Sequence, residues 1–340
     1  MTSQNLFSLD RLRQEIVRYF SVVNPLESGI TKIDFEGPRI AIYTRNPQVF
    51  ASRDQIAKDL VTLIKKRVII RPDDSIRIEK EEFEAKARGK IRGLRSLIFN
   101  DLTGEVVLEL DSNVPPPSDA LLKELSASTG WVVSLNVQPP MRTKIIEQAN
   151  NIIYGYPEDR LQALRRIGEK VFRNQVFETR DAVITILGSG MQVGRSALLL
   201  QTSESKVLLD CGFAPGGSGN LEMIPRFDLM ENLAEELDAV VITHAHLDHM
   251  GMVPYLFKYD YRGPVYCTEP TLPLMLMQHL DFINVASKQG LFAPYSERDV
   301  RTAIQHTVPL SYGMVTNIAP DVRITSVSYT HLTLPTKRIV

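Results

Sequence analysis

The sequence has 340 residues, 44% hydrophobic and 23% charged, which fits more than one folded domain and excludes collagen-like, coiled-coil and wholly disordered chains. No stretch approaches the ~20 uncharged apolar residues that cross a bilayer, Met1 to Asp10 lacks the basic start and apolar run of a signal peptide, and Cys211 and Cys267 alone make neither a disulfide framework nor an all-cysteine metal site. The reading is a water-soluble, cytoplasmic protein without membrane contact whose net charge of −1 is unevenly spread: residues 1–180 hold 28 Lys and Arg against 24 Asp and Glu, residues 181–340 hold 11 against 16, so the first half is the polyanion binder.

The first 140 residues repeat one pattern. A helix over Leu9–Phe20 precedes copy one, Ile30 to Pro72. This copy has a strand ending at Phe35, a turn at Glu36-Gly37, a strand Ile40–Tyr43, a break at Asn46-Pro47, a helix from Ser52 to Lys66 and a strand Val68–Ile70. A helix over Glu79–Arg88 precedes copy two, Leu97 to Pro139. Here a strand ends near Phe99, Gly104 turns, Val106–Leu110 is a strand, Asn113–Pro117 a break, Ser118–Ser128 a helix and Trp131–Val137 a strand. Ser52 and Ser118 are the expected N-caps. The order helix, strand, strand, helix, strand resembles the prokaryotic KH module, which binds single-stranded RNA with a Gly-x-x-Gly loop. Asn46-Pro47-Gln48-Val49 and Val114–Ser118 stand at that loop without a glycine pair. Lys86, Arg88, Lys90, Arg92 and Arg95 form the densest basic run and are the candidate RNA contacts, weighed against a solvated face paired with Glu79, Glu81, Glu82 and Glu84. Arg142–Asn174 is helical with a break at Gly155–Pro157 and connects this repeat to the rest.

After Thr179 come short apolar strands and glycine-rich turns: Ala182–Leu187, Ser196–Gln201, Lys206–Leu209, Asp238–Ile242 and Pro264–Cys267. Thr243-His244-Ala245-His246-Leu247-Asp248-His249 follows one strand end and holds three of the chain's six histidines. In an extended segment His244 and His246 point the same way and suit one ion; the turn that follows aims Asp248 and His249 at a second. Imidazole and carboxylate are donors that suit zinc in a site left open for water. Two ions ~3.5–4 Å apart would activate a bridging water for displacement at phosphorus. His279 and His306, in helical and strand-like contexts, are ordinary packing or surface histidines, and Met275, Leu276, Met277 and Leu280 form a core stripe.

His-x-His-x-Asp-His after a strand ending Leu209-Asp210-Cys211-Gly212 resembles the metallo-β-lactamase fold. Gly188–Ser196, Leu208–Gly212, Val241–His249 and Gly263–Thr268, behind a double KH-like region with Tyr43–Pro47, resemble one family: the archaeal β-CASP ribonuclease related to the cleavage and polyadenylation specificity factor, also described as a transcription termination factor. The resemblance runs from about Arg11 to Thr325. It implies an α+β chain of two KH-like α/β modules followed by the N-terminal part of a metallo-β-lactamase αββα sandwich. The expected domains are 1–72 and 73–142 (KH-like modules), 143–178 (helical linker), 179–327 (incomplete metallo-β-lactamase domain) and 328–340 (a non-native tail). It also implies a two-zinc endoribonuclease that cuts single-stranded RNA at transcript 3′ ends, with RNA polymerase as a further partner. His244 and His246 match the ligands of one zinc; Asp248 and His249 match those of the other. Asp248 also orients the attacking water, and Asp210 supports the metal loop from behind. Gln192 departs from the family, which has an acid before Val-Gly-Arg-Ser.

The family pattern continues with a third histidine loop and a β-CASP domain, and dimerises through a C-terminal region; none of these is present in the sequence. His331 falls at the third histidine's register, but Ser328-Tyr329-Thr330 and Leu332–Pro335 do not resemble that loop. The expectation is a fragment that binds metal weakly and does not turn over. Two other readings stand beside this one: a non-catalytic RNA-binding or polymerase-associated homologue, and a small-molecule metallo-hydrolase of the same fold, which would have no need of a KH-like front end.

Overall fold

Period-two alternation and a glycine free to take positive φ make a hairpin of β1 (Ile30–Glu36) and β2 (Arg39–Thr44), joined through Gly37 at φ 61°. The structure, a computed structural model, describes residues 12, 14–19, 29–47, 54–139, 141, 143–214, 220–290 and 293–327. Helix α1 (Asp54–Ile64) returns the chain so that β3 (Arg67–Pro72) runs parallel to β2, Arg39 opposite Arg67. The pattern then recurs. Helix α2 (Lys80–Lys90) leads into the hairpin of β4 (Leu94–Asn100) and β5 (Glu105–Asp111), and α3 (Asp119–Thr129), capped by the Ser118 hydroxyl, sets β6 (Val132–Gln138) parallel to β5. Both three-stranded sheets keep the chain order of their strands, and both hairpins slip register at the same point, Ile30/Lys32 and Leu94/Ser96. Two copies that share even an irregularity are one supersecondary unit used twice, and the fold is α+β with two KH-like modules, as read from the sequence.

The second module closes on Phe83, Ala87, Val106, Leu108, Leu110, Leu125 and Trp131. Phe83, Phe99 and Trp131 meet edge to face, and the Trp131 indole donates to Ile78 O at 3.0 Å, so the one tryptophan buries its polar edge without a loss. An ion triad joins the copies, with Arg71 and Glu36 buried and Glu105 at its open end. Arg71 (2% exposed) donates to Glu36 through Nε at 3.0 Å and Nη2 at 2.5 Å, and through Nη1 to Glu105 at 2.5 Å. Helices α4 (Lys144–Tyr154) and α5 (Pro157–Val171) break at Gly155 as expected, but α5 does more than connect. Gly37 N donates to Leu164 O at 2.9 Å, Arg165 pairs with Asp34 at 2.7 Å, and Gly168 lies flat on Phe35.

Residues 1–168 form one unit and residues 169–340 a second. The second is built on a six-stranded sheet in the order β12-β11-β10-β9-β8-β7. Its strands are β7 (Val183–Gly188), β8 (Ala197–Gln201), β9 (Lys206–Leu209), β10 (Ala239–Val241), β11 (Val265–Thr268) and β12 (Thr307–Leu310). The pairs from β9 to β12 are parallel, so four carboxyl ends lie along one edge, where open α/β sheets carry their sites. Two single turns, α6 (Leu247–Met250) and α7 (Val253–Lys258), follow β10; α8 (Thr271–Lys288) and α9 (Glu297–His306) supply the long helices, and β13 (Val315–Asn317) pairs with β14 (Arg323–Thr325). Met275, Leu276 and Leu280 are buried along α8 as the stripe predicts. His306 corrects its strand-like reading: it is the last residue of α9, where its ring Nδ1 donates to Thr302 O at 2.9 Å, and the strand begins one residue later. No described helix is long and apolar enough to cross a membrane.

Candidate metal centre

The site grows out of the register of β9 and β10. Leu209 lies beside Val241, and the pairing continues past both strands, with Asp210 N donating to Val241 O at 2.8 Å. Asp210 therefore leaves the sheet next to Thr243, at φ 60° and 5% exposed. Its carboxylate accepts from Thr243 N at 2.8 Å, from Thr243 Oγ1 at 3.0 Å and from His249 Nδ1 at 2.7 Å. Among the described residues no lysine or arginine reaches it. In a neutral imidazole this hydrogen bond puts the His249 proton on Nδ1 and leaves Nε2 with a lone pair. That Nε2 faces Asp248 Oδ2 at 3.6 Å.

The other two histidines form a second pair. The hydroxyl of Thr243 also meets His244 Nδ1 at 3.0 Å, and His244 Nε2 lies 3.1 Å from His246 Nδ1. The His244 ring sits 4.7 Å from His246 and 4.1 Å from His249, centroid to centroid. Burial holds His244 below the ordinary imidazole range, and His249 and His246 push the same way, so it is present as the neutral donor form.

Glycine 212 makes this loop possible. A Cβ there would sit 1.7 Å from Asp248 O and 2.6 Å from Ser196 N, because the segment after β9 runs against the histidine loop backbone to backbone. Phe213 N donates to Leu247 O at 2.8 Å, Cys211 N to His249 O at 2.7 Å and Ser196 N to Asp248 O at 2.8 Å. The Gly188–Ser196 turn carries Ser189, Met191 and Arg195 at positive φ. With its amide oxygen turned to Arg195, Gln192 accepts from Nε at 2.6 Å and Nη2 at 2.8 Å, the partner that an acid at this position would take. From the far side, Gln278 of α8 donates to Ala245 O and steadies the residue between the two histidines. Thr243 and Gln278 are functional neighbours that spacing did not single out. Thr243 stood inside the motif without a metal-binding side chain, and Gln278 had no local signal.

Donor chemistry fits a metal. With metal–nitrogen bonds of about 2.0–2.1 Å and a tetrahedral angle, two imidazole nitrogens on one ion lie about 3.3 Å apart, close to the 3.1 Å between His244 Nε2 and His246 Nδ1. Among the described residues no three donors close on a single point; the loop offers two pairs. His331 and the tail from residue 328 lie outside the described residues, as do Gln48 and Val49 of the first KH-like loop and the Ser52 cap.

The basic run of the first unit is arranged differently. Lys86 pairs with Glu82 at 2.8 Å, Arg88 with Glu84 at 2.8 Å, Lys90 with Glu124 at 2.7 Å, and Arg95 with Asp111. Arg92 is exposed in the turn between α2 and β4.

Residues 8–77 match the family model described as "Transcription termination factor FttA, KH domain", and residues 191–313 match the Metallo-beta-lactamase superfamily. Three curated relatives are called transcription termination factor FttA. The protein of Cenarchaeum symbiosum is 41% identical over 91% of this chain and 49% of its own length. Those of Methanothermobacter thermautotrophicus and Methanocaldococcus jannaschii are 35% and 34% identical over 93% of this chain, and over 51% and 50% of theirs. This chain spans about half the length of the curated relatives it matches. The resemblance read from the sequence is thereby established: the chain carries a KH domain of the FttA type ahead of a metallo-beta-lactamase domain, is similar over most of its length to archaeal termination factors, and has a fold that implies a metal cofactor.

Proposed function

We propose that the chain is the RNA-binding and metal-binding part of a zinc-dependent endoribonuclease that cuts single-stranded RNA in transcript 3′-end cleavage and termination. The observation that carries this reading is the pairing of donors on the loop after β10, with His249 oriented by a buried carboxylate that no lysine or arginine among the described residues reaches. His244 and His246 would hold one zinc; Asp248 and His249 would hold the other. Bound there, zinc supplies Lewis acidity, lowering the pKa of water and stabilising charge on a phosphoryl oxygen. Asp210, bonded to His249 Nδ1, would leave Nε2 as the nitrogen turned to the metal. Thr243 ties Asp210 to His244 through one hydroxyl. Asp248 is the general base candidate, its carboxylate partly exposed beside His249 and free to orient a water.

The FttA names of the relatives and the KH match in front of the metal loop favour RNA over a small-molecule substrate. Cytoplasmic residence and association with RNA polymerase belong to the same reading, and a homodimer belongs to it for the full-length family. The test is zinc content by mass spectrometry of metal-loaded protein, comparing the parent with the His244→Ala/His246→Ala variant, together with cleavage of an end-labelled single-stranded RNA. Zinc in the parent, lost in the variant, with little or no cutting by either is the expected result; zinc-dependent cutting by the parent would overturn the expectation that this half-length chain does not turn over. RNA bound with neither zinc nor cutting would replace this reading with a non-catalytic RNA-binding homologue.

A further inference from the structure

The second KH-like module carries an open, polar pocket of about 330 Å³ between the outer face of its sheet and α4. Pleating turns Val106, Leu108 and Leu110 of β5 into the core and Glu105, Val107 and Glu109 to the other face. Glu109 lines the pocket and is 8% exposed. Its carboxylate accepts from Gln138 Nε2 at 2.7 Å, from the Ser96 hydroxyl and, more distantly, from Asn150 Nδ2 at 3.4 Å. All three donors are neutral, so the charge is solvated by dipoles and matched by none of them. Burial, and then the Glu109 charge, hold the Tyr154 hydroxyl on the same pocket above its ordinary range, so it stays protonated at neutral pH.

The two hairpins show which group this position lacks. They hold five carboxylates: Asp34, Glu36, Glu105, Glu109 and Asp111. Four are met by an arginine, Asp34 by Arg165 at 2.7 Å, Glu36 and Glu105 by Arg71 at 2.5 Å each, and Asp111 by Arg95. Glu109 is the fifth, and among the described residues no lysine or arginine reaches it. The rest of the lining asks for the same group. Glu147 adds a second carboxylate, and Asn151 and Tyr154 bring in the last turn of α4, the negative end of its dipole, where no basic residue stands. Ile98 and Ile146 supply apolar surface, which suits a flat, weakly hydrated guanidinium better than an ammonium. Among the described lining residues none is basic, so the phosphate of a nucleotide or the carboxylate of free arginine would find no counter-ion here. We infer that this pocket receives the side chain of an arginine presented by a partner protein, with Glu109 as its buried counter-ion. The site depends neither on the metal loop nor on RNA.

The test uses the full chain and N-acetyl-L-arginine amide, an arginine with peptide-like ends, in isothermal titration calorimetry, with the methyl resonances of Ile98 and Ile146 followed in parallel. The parent should bind this probe and shift both methyls. The citrulline counterpart keeps the shape without the charge and should bind at least about tenfold more weakly; Glu109→Gln should weaken the arginine probe by the same factor at unchanged circular dichroism. Glu147→Gln, a change at an exposed residue, should cost about threefold, and with the citrulline probe it keeps the proposal refutable if Glu109→Gln misfolds. No binding by the parent, equal binding of the arginine and citrulline probes, or binding that leaves both methyls unmoved overturns the proposal. A lysine counterpart that binds as tightly would overturn the assignment to a guanidinium. Tighter binding of free arginine or of guanosine monophosphate would put a small molecule in the pocket and overturn the assignment to a protein partner.

Discussion

Glu36 and Asp210 are both buried carboxylates, 2% and 5% exposed, and the chain uses them in opposite ways. Glu36 is closed: Arg71 holds both of its oxygens, Arg39 adds a bond at 3.0 Å, and the charge ends in a triad with Glu105 between the KH-like copies. Asp210 is open, accepting from the neutral groups of Thr243 and from His249, so that its charge orients a side chain that would hold a metal. The difference teaches where to look for chemistry. A buried charge that is paired holds a fold together, while one left without a cation marks a place that prepares for a ligand.

The largest expected effect tests the closed member. Arg71→Met leaves the buried Glu36 with only the half-exposed Arg39 as a cation and should destabilise the first unit by about 3 kcal/mol in urea denaturation, whereas Arg71→Met with Glu36→Leu should recover most of it. A single variant within about 1 kcal/mol of the parent would mean that Arg39 or water satisfies Glu36 as well as Arg71 does and that the contrast is false.

Asp210→Asn comes next and should act on metal more than on folding. The amide cannot hold the His249 proton as the carboxylate does, so zinc affinity should fall about 10–100-fold in competition with a chromogenic chelator, at a stability change smaller than that of Arg71→Met. An Asn variant that unfolds before it loses metal would make Asp210 a structural residue like Glu36.

A third effect is smaller and depends on pH. Burial alone would push Glu36 up, but Arg71, by charge and hydrogen bonds, and then Arg39 carry its pKa below the ordinary value of 4.5. For a carboxylate with a depressed folded pKa, the stabilisation is complete above the unfolded value and drains as pH falls through the folded one. The first unit should therefore lose stability below about pH 4.5, with a slope that flattens in Glu36→Gln. An unchanged slope would assign the acid loss to other carboxylates.

Much of this was legible along the chain, for reasons that differ by element. The repeat could be read because turn glycines, the Ser118 cap and period-two strands are local, and the structure adds only that both hairpins share a register slip. The His244–His249 loop stood out because three histidines so close have little use in a core. What spacing could not show is long-range. Arg71 reaches Glu105 across the module boundary, Gln278 holds Ala245 O from a helix later in the chain, and two members of the Lys86–Arg95 run find carboxylates far along the chain, Lys90 at Glu124 and Arg95 at Asp111. His306 was misplaced because the helix end and strand start fall on adjacent residues.

The smallest expected effects separate the basic run from the charges already discussed. Lys86 and Arg88 each sit in an exposed pair with a glutamate one turn earlier, and such pairs are worth about 0.3–0.5 kcal/mol. Lys86→Ala and Arg88→Ala should leave stability within about 0.5 kcal/mol, and single-stranded RNA affinity nearly unchanged, since the lysine or arginine is already matched by a carboxylate. Arg92, exposed in the turn before β4, faces no such cost on meeting a phosphate. Arg92→Ala should weaken RNA binding and lower the slope of log affinity against log salt by about 0.7, the share of one phosphate contact on a single strand. If Lys86→Ala and Arg92→Ala lowered that slope equally, pairing with glutamate would not withdraw a cation from RNA, and the whole run would count as the binding face that its composition first suggested.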